Sequence, residues 1–257
     1  MTLARLFAAA AALVACAACG SSARPSASAP AKATPAFVDA HARYEHAAHA
    51  AALVAVKRIG DQGEYWWGCS GSLVDVSRGA RPPVIVTASH CVDTRMENSP
   101  IVCAFFSPDD PSRQIMPEDI TELSGQPEHL CTLKLQRHKL DLAIISPQKL
   151  DPRTHPVPVA PSDVAVGDDV FGVLAPHQLV NTYFEGYVNS RLSFVDIDWD
   201  EDFKSDALLG FTSPVTGGAS GGMVLNAKGE LVGITLAVVN GTNTGIALRV
   251  SAFRDLL

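Results

Sequence analysis

Short apolar segments separated by turn-forming residues dominate the chain from Leu53 onward. They are rich in β-branched and aromatic residues and are bounded by Gly, Pro, Asp and Ser, which is typical of strands. The first half contains LVAVKRI, WWGCSGSLV, PVIVTAS, IVCAFFS, LCTLKLQ and DLAIIS, and the second contains DDVFGVLA, NTYFEGYVNSRLSFVDI, ALLGFT, GMVLN, ELVGITLAVV and TGIALRV. Repeated strands without long helices between them predict an all-β protein, either antiparallel barrels or a sandwich.

A proline-rich stretch, SPQKLDPRTHPVPVAP at residues 146–161, interrupts this strand pattern near its middle. Proline disfavours the interior of a sheet, so this stretch is where two units would be joined. We therefore predict two six-stranded units, over residues 53–150 and 151–257. A short helix over residues 251–257 is predicted to close the second unit.

The first 52 residues lack the strand pattern. Residues 1–19 carry Arg5 and then a short apolar run, which is typical of a secretory signal and too short to span a membrane as a mature helix. Residues 20–36 are rich in Ser, Ala and Pro and predict a flexible tether. Residues 37–52 are rich in Ala without Gly or Pro and predict a helical leader.

The end of the signal, LVAC, looks like a bacterial lipobox. Cys16 would then be lipidated and become the mature N-terminus, with Cys19 as a weaker candidate. Ordinary cleavage near Ala17 or Ala18 is the alternative. Acyl chains would hold the protein at a membrane, since each buried methylene contributes about 0.8 kcal/mol. We predict export, either as a cell-envelope lipoprotein or as a secreted or periplasmic protein.

Composition and charge exclude several other classes of protein. Hydrophobic residues make up 47% of the chain and charged residues 18%, which indicates a sizeable core and argues against disorder. The formal net charge is −7, and no basic block is present that would bind nucleic acid. We expect no nucleic-acid partner.

Four cysteines remain after the signal: Cys69, Cys91, Cys103 and Cys131. An even number in an exported chain predicts two disulfides, with three pairings possible. Zinc is the alternative, but no C-x-x-C spacing occurs in this part of the chain.

Two polar clusters raise the question of other metals. The leader histidines, His41, His46 and His49, do not have the i, i+4 spacing that suits a metal, so a solvated helix face or a mobile leader is favoured. VDIDWDEDFKSD, residues 195–206, is strongly acidic but lacks the glycine of a calcium loop. We interpret it as a solvated acidic loop and predict no metal or organic cofactor.

Three stretches carry candidate catalytic side chains. TASHC places His90 after an apolar run, where it is a metal ligand, a core residue or a catalytic base. DLAII opens with Asp141 at the start of a core strand, where a carboxylate is costly unless it is paired or faces solvent. GGASGG surrounds Ser220 with glycines, which suits either a tight hairpin or a nucleophile beside converging N–H groups.

In this order, SGSLV, TASHC, DLAII and GASGG resemble the motifs of the chymotrypsin-like serine proteases. The resemblance covers about residues 53–257 and implies two perpendicular antiparallel six-stranded β-barrels, with the active site in the cleft between them. It implies that Ser220 is the nucleophile, His90 the general base and Asp141 the group that orients His90. The backbone N–H groups of Gly218 and Ser220 would form the oxyanion hole.

The resemblance also implies that Cys69 pairs with Cys91, which leaves Cys103 to pair with Cys131. Animal members have an Asp immediately before the nucleophile, whereas this chain has Ala219. Activation through a new N-terminal ammonium is therefore not expected, and the chain is similar to the bacterial branch. That branch includes glutamyl endopeptidases and the high-temperature-requirement proteases. The latter usually carry a trailing peptide-binding domain, which we expect to be missing.

The residues expected to line the specificity pocket are uncharged. Trypsin-type pockets have an acid at the position of Pro214, and glutamyl endopeptidases have a histidine at the position of Thr235. We predict a shallow pocket for small or medium apolar side chains, with these walls: Pro214, Val215, Thr216, Thr235, Leu236, Ala237 and Val238.

The sequence thus predicts an exported serine endopeptidase that cleaves polypeptides through an acyl-enzyme. The alternative from another class is a catalytically inactive, protease-like binding or regulatory lipoprotein of the cell envelope.

Overall fold

The computed structural model describes residues 39–76, 81–93, 99–110, 112–192, 207–213, 215–239 and 241–257. These residues belong to one unit, Pro35–Leu257. Several sequence predictions lie outside the described residues: the signal with Cys16 and Cys19, the tether, the acidic stretch 195–206, and Pro214.

Six antiparallel strands form the first barrel, in the order β1-β4-β5-β6-β3-β2, and pairing of β1 with β2 closes it. The strands are β1 (Ala51–Gly60), β2 (Gly63–Asp75), β3 (Val84–Ala88), β4 (Ile101–Phe105), β5 (Leu130–Arg137) and β6 (Leu142–Pro147). A two-residue strand, β7 (Val157–Pro158), pairs in parallel with the far end of β2. Residues 157–158, expected in the second unit, therefore extend the first sheet.

Six further antiparallel strands form the second closed barrel, in the order β10-β13-β12-β11-β8-β9. They are β8 (Asp169–Leu174), β9 (Thr182–Leu192), β10 (Leu208–Thr212), β11 (Met223–Asn226), β12 (Leu231–Val238) and β13 (Thr244–Arg249). The prediction of two six-stranded antiparallel barrels is confirmed, and the alternative of a sandwich is excluded.

The helical leader is shorter than predicted and is docked on the barrels. Helix α1 spans Ala40–Ala48, and Asp39 caps it by accepting a hydrogen bond from the N–H of His41 at 2.8 Å. Strand β1 begins at Ala51, where small buried alanines pack on the barrel. We expected the leader histidines to face solvent. The rings of His46 and His49 instead lie 2.9 Å and 2.8 Å from the backbone carbonyl oxygens of Gly229 and Arg153.

Other short helical segments lie between and after the strands. α2 (Ser89–Val92) follows β3, and α3 (Pro117–Ser124), which the sequence pattern did not predict, covers one end of the first barrel. α3 forms because Pro117 starts it and the buried Ile120 anchors it. The predicted C-terminal helix is two 3₁₀ turns, Val250–Ala252 and Arg254–Leu256. In the described part of the chain, no helix has both the length and the apolar character required to cross a membrane.

Candidate active site

His90 is presented by the turn that follows β3. The apolar strand enters the core and ends at Ala88, and α2 then places the His90 ring half-exposed, with 36% of its side chain accessible. The next residue, Cys91, is disulfide-bonded to Cys69 on β2. The covalent link and the strand together hold the backbone of His90 against the first barrel.

Asp141 fixes His90 through both of its carboxylate oxygens. Oδ2 lies 2.7 Å from His90 Nδ1, and Oδ1 accepts the backbone N–H of His90 at 2.9 Å. Since Nδ1–H donates to the carboxylate, the lone pair of a neutral ring is on Nε2. Asp141 is 8% exposed, so its charge is almost removed from water and is compensated by these two donors.

The backbone of Asp141 is in the left-handed region, with φ of 48°. It follows a 3₁₀ turn, His138–Leu140, and precedes β6. This conformation costs a residue with a Cβ about 1–2 kcal/mol, although Asp tolerates it better than most. The tight reversal turns the carboxylate toward α2, and the carbonyl of Asp141 accepts the N–H of Ser89 at 3.0 Å.

Ser220 lies in the glycine-rich loop between β10 and β11. Its hydroxyl donates to the carbonyl of Leu236 on β12 at 3.0 Å. Gly218 and Gly221, on either side, have φ of 88° and 83°, conformations that glycine adopts without strain. In the described part of the chain, neither the N–H of Gly218 nor that of Ser220 donates to a protein acceptor. Two donors are therefore available beside the Ser220 hydroxyl.

The Cys69–Cys91 disulfide lies where the His90 and Ser220 segments meet. The Sγ atom of Cys91 is 3.7 Å from the carbonyl oxygen of Ser220. A ring nitrogen of His90 and both sulfur atoms lie within 4.8 Å of one another. Because the sulfurs are bonded to each other, this cluster does not offer thiolates to a metal.

The prediction of two disulfides is confirmed, and the bonds are Cys69–Cys91 and Cys103–Cys131. The second bond joins β4 to β5 within the first barrel. Cys103 is 2% exposed and Cys131 is 9% exposed, so the bond is shielded from reductants in solution.

The predicted pocket residues divide into two groups. Val215, Thr235 and Leu236 are buried, at 8%, 1% and 2% exposure. Val215 packs in the core of the second barrel rather than lining an open surface. Thr216 is exposed, whereas Ala237 and Val238 are half-buried at the end of β12. No charged side chain occurs in either group.

Two residues beside the loop were not identified from the sequence. Ser70 on β2 is 1% exposed and donates from its hydroxyl to the carbonyl of Gly218 at 2.9 Å. His177 is exposed, and its backbone N–H donates to the carbonyl of Gly217 at 2.7 Å. Its ring Nε2 lies 3.2 Å from the hydroxyl of Thr216. The one sequence signal for Ser70 is that a polar residue lies within an apolar strand segment, CSGSLV.

Comparison with known proteins agrees with the two-barrel fold. The family model described as a trypsin-like peptidase domain matches residues 69–234, which include all three candidate catalytic side chains. A solved serine endoprotease from Yersinia pestis superposes with a TM-score of 0.57 at 18% identity, covering 85% of this chain and 65% of that one. At this identity the superposition shows the shared fold alone.

Curated relatives are serine proteases by name. A probable periplasmic serine endoprotease, DegP-like, from Buchnera aphidicola is 28% identical over 194 residues, which are 74% of this chain and 35% of the relative. Serine protease HTR4 from Rattus norvegicus is 33% identical over 136 residues, which are 49% of this chain and 26% of the relative. The matched part thus covers about a third or less of the length of these relatives.

Proposed function

Because this chain belongs to the trypsin-like peptidase domain family, we propose that it is an exported serine endopeptidase that hydrolyses polypeptides through Ser220, His90 and Asp141. The observation that carries the proposal is the His90–Asp141 pair, with its Nδ1 to Oδ2 distance of 2.7 Å, together with Ser220, whose N–H and that of Gly218 donate to no acceptor among the described residues. These groups would supply the base, the nucleophile and the anion-binding donors that acyl transfer requires.

In the proposed mechanism, Ser220 is activated by His90. The hydroxyl rotates away from the carbonyl of Leu236, and Nε2 of His90 takes its proton as Oγ attacks the peptide carbonyl carbon. The carbonyl π bond opens, and its oxygen becomes an anion that accepts the N–H groups of Gly218 and Ser220. Asp141 stabilises the imidazolium that forms.

The tetrahedral intermediate then collapses. The C–N bond breaks as His90 gives its proton to the leaving amine, and the acyl group remains on Ser220. Water then attacks the ester carbon as His90 takes one of its protons. The C–Oγ bond breaks as His90 returns that proton to Oγ, which releases the second product and restores the hydroxyl of Ser220. No step needs a metal or an organic cofactor.

The substrate preference proposed is for small or medium apolar side chains. The described pocket residues Thr216, Ala237 and Val238 are uncharged, and each is exposed or half-buried. An uncharged pocket leaves the charge of a Lys, Arg or Glu side chain without a partner, which disfavours its burial. Cleavage of a mixed peptide library, followed by mass spectrometry of the products, measures this preference directly.

Export and lipid anchoring are proposed from the N-terminal sequence. Two disulfides in a single domain support an oxidising compartment. Globomycin-sensitive processing, together with the mass of the mature N-terminus, distinguishes acylation at Cys16 from acylation at Cys19 and from simple cleavage. Replacement Cys16→Ala is expected to release the protein from the membrane fraction.

An inactive binding protein is the competing hypothesis, and the Ser220–Leu236 hydrogen bond is the observation in its favour, because it occupies the nucleophile. A fluorophosphonate probe separates the two. Labelling of the wild type that is lost in Ser220→Ala and His90→Ala supports the enzyme, and His155→Ala serves as the matched histidine control. Absence of labelling in correctly folded wild type would overturn the proposal.

A further inference from the structure

The carbonyl groups around the nucleophile are all engaged, which determines where the N–H groups point. Gly217 O accepts the backbone N–H of His177 at 2.7 Å, and Ala219 O accepts that of Gly222 at 3.0 Å. In a trans peptide the C=O and the following N–H point in opposite directions. These two bonds therefore direct the N–H group of Gly218 away from His177 and the N–H group of Ser220 away from Gly222.

The peptide between these two, Gly218–Ala219, is held at both ends: its N–H donates to the carbonyl of Thr216 at 3.1 Å, and its carbonyl is held by one side chain. Gly218 O accepts the Ser70 hydroxyl at 2.9 Å, and the same hydroxyl oxygen accepts the backbone N–H of Ala175 at 2.8 Å. The backbone N–H of Ser70 also donates to Ser220 O at 2.9 Å. One residue of the first barrel thus contacts the loop on both sides of Ala219.

Ser70 also connects the loop to the segment that supports it. Ala175 lies two residues before His177, the donor to Gly217 O, and His177 has a left-handed backbone with φ of 47°. If the hydroxyl of Ser70 is lost, the N–H of Ala175 and the carbonyl of Gly218 both lose a buried partner. Glycine at position 218 permits the adjacent peptides to rotate, and the Ser70 bonds oppose that rotation together with the bond from Ala219 N–H to Thr216 O.

We propose that the Ser70 hydroxyl is a positioning group for the oxyanion hole, which keeps the N–H groups of Gly218 and Ser220 convergent. This inference rests on the proposed peptidase function. Ser70 does not touch the reacting atoms, and its hydroxyl acts through the Gly218 peptide. Its loss is expected to weaken stabilisation of the transition state more than binding of the substrate, because the oxyanion forms only during the reaction.

The chain offers a matched control in the same strand. Ser72 is also buried on β2, and its hydroxyl donates across the same barrel contact to Gly221 O at 3.0 Å. That bond holds the Gly221–Gly222 peptide, which reaches the Ser220 N–H only through the bond from Gly222 N–H to Ala219 O, whereas Ser70 bonds directly to the peptide that lies between the two N–H groups of the proposed hole. Replacing either serine with alanine removes one buried hydroxyl, so the two variants separate a positioning role from a general structural one.

The test compares wild type, Ser70→Ala and Ser72→Ala on one fluorogenic peptide selected from the library. We expect kcat to fall about 10- to 100-fold in Ser70→Ala, which is less than the about 100- to 1000-fold effect of losing an oxyanion donor. KM should change less than threefold. Ser72→Ala should retain kcat within about threefold at a comparable loss of Tm.

A peptide aldehyde gives an independent reading, since its hemiacetal oxygen occupies the oxyanion hole, whereas the corresponding peptide alcohol forms no such oxygen. Ser70→Ala should weaken the aldehyde at least tenfold and the alcohol less than threefold. Equal kcat losses in both variants, or equal weakening of the two ligands, would overturn the inference. If Ser70→Ala does not fold, Ser70→Gly replaces it, and failure of both to fold also rejects a specific positioning role.

Labelling and cleavage by the wild type distinguish failure of this inference from failure of the proposed function. Wild type that does not label with fluorophosphonate counts against the peptidase function, and the inference fails with it. Wild type that labels and cleaves, with Ser70→Ala equally active, rejects the role of Ser70 alone.

Discussion

Asp141 accepts two hydrogen bonds from His90, one from ring Nδ1 at 2.7 Å and one from the backbone N–H at 2.9 Å. The first bond selects the tautomer of the His90 ring, and the second holds the His90 backbone in position relative to Asp141. A carboxylate with a single contact would leave the ring free to turn about χ1. The pair therefore behaves as one rigid unit, within which Asp141 is also constrained by its own left-handed backbone.

Replacement Asp141→Asn should preserve the fold and abolish most turnover. Asn is isosteric and tolerates the left-handed backbone, but its NH₂ group favours the wrong tautomer of His90. We expect kcat/KM to fall about 10⁴-fold. Asp163→Asn is the control, since Asp163 also accepts side-chain hydrogen bonds, from Arg249 and Ser251, but lies outside the site. Equal activity losses in the two variants would contradict the assignment.

Removal of either disulfide should lower stability, but only removal of Cys69–Cys91 should also lower activity. They close loops with sequence separations of 22 and 28 residues, so removal of either should lower the free energy of unfolding by about 3.5 kcal/mol in the chain-entropy model. The double variant Cys69→Ala/Cys91→Ala should also lower kcat, because it frees the segment that carries His90. Cys103→Ala/Cys131→Ala should leave kcat unchanged at temperatures where it is folded.

Urea unfolding and steady-state kinetics on both double variants check this prediction. A kcat loss of the same size in both would mean that the bond beside His90 has no special role in the site.

A surface ion pair predicts a pH dependence of stability far from neutrality. Hydrogen bonds from Arg153 lower the pKa of the Asp151 carboxyl to about 2, from its ordinary value of 3.8. Because the pKa of Asp151 is lower in the folded than in the unfolded protein, its ionisation stabilises the fold at pH values above about 4. This contribution is lost as the pH falls from about 4 to about 2. Since 28% of the Asp151 side chain and 65% of the Arg153 side chain are exposed, solvent screens the pair and its contribution to the free energy of unfolding is small.

Asp151→Asn should therefore be slightly less stable than wild type at pH 7 and equally stable near pH 2, as measured by urea unfolding. Arg153→Gln should give the same convergence. A difference between wild type and Asp151→Asn that persists unchanged down to pH 2 would show that another interaction of Asp151 dominates.

The barrels could be predicted because each strand carries its own signal. Alternation, β-branched residues and turn residues lie within a few positions of one another, and the proline-rich join fell close to the observed change of barrel. The cluster of His90, Asp141 and Ser220 was inferred from motif order, a pattern that a resemblance supplies and that hydrophobic periodicity does not contain.

What could not be predicted depends on contacts between distant residues. The bond from Ser70 to Gly218 joins positions 148 residues apart, and the contact of His177 with the same loop depends on two successive left-handed residues, His177 and Gln178. Neither contact produces a periodic pattern of hydrophobic and polar residues in the sequence. Helix α3 was missed because its eight residues, Pro117–Ser124, bury one apolar side chain, Ile120, in a segment that otherwise has the composition of a loop.

Gly221 should be the least replaceable glycine of the site, because it is constrained twice. Its φ is 83°, and a Cβ at this position would lie 2.1 Å from the Thr87 hydroxyl and 2.3 Å from the carbonyl oxygen of Ser70. Both atoms belong to the first barrel, so the side chain would push the barrels apart next to Ser220. Gly167 offers the comparison, since its φ is 97° but nothing lies within 4 Å of its Cβ position.

Gly167→Ala therefore measures the backbone strain alone, which we expect to lower the free energy of unfolding by about 1–2 kcal/mol. Gly221→Ala should exceed that loss by at least about 2 kcal/mol, because Thr87 and the β2 backbone must move to accommodate the methyl group. Urea unfolding of both variants gives the difference, and fluorophosphonate labelling at a temperature where both are folded reports the effect on Ser220. If the two alanines are equally tolerated, the barrels are not in close contact at Gly221, and the packing that brings Ser220 beside the first barrel is not as tight as these distances require.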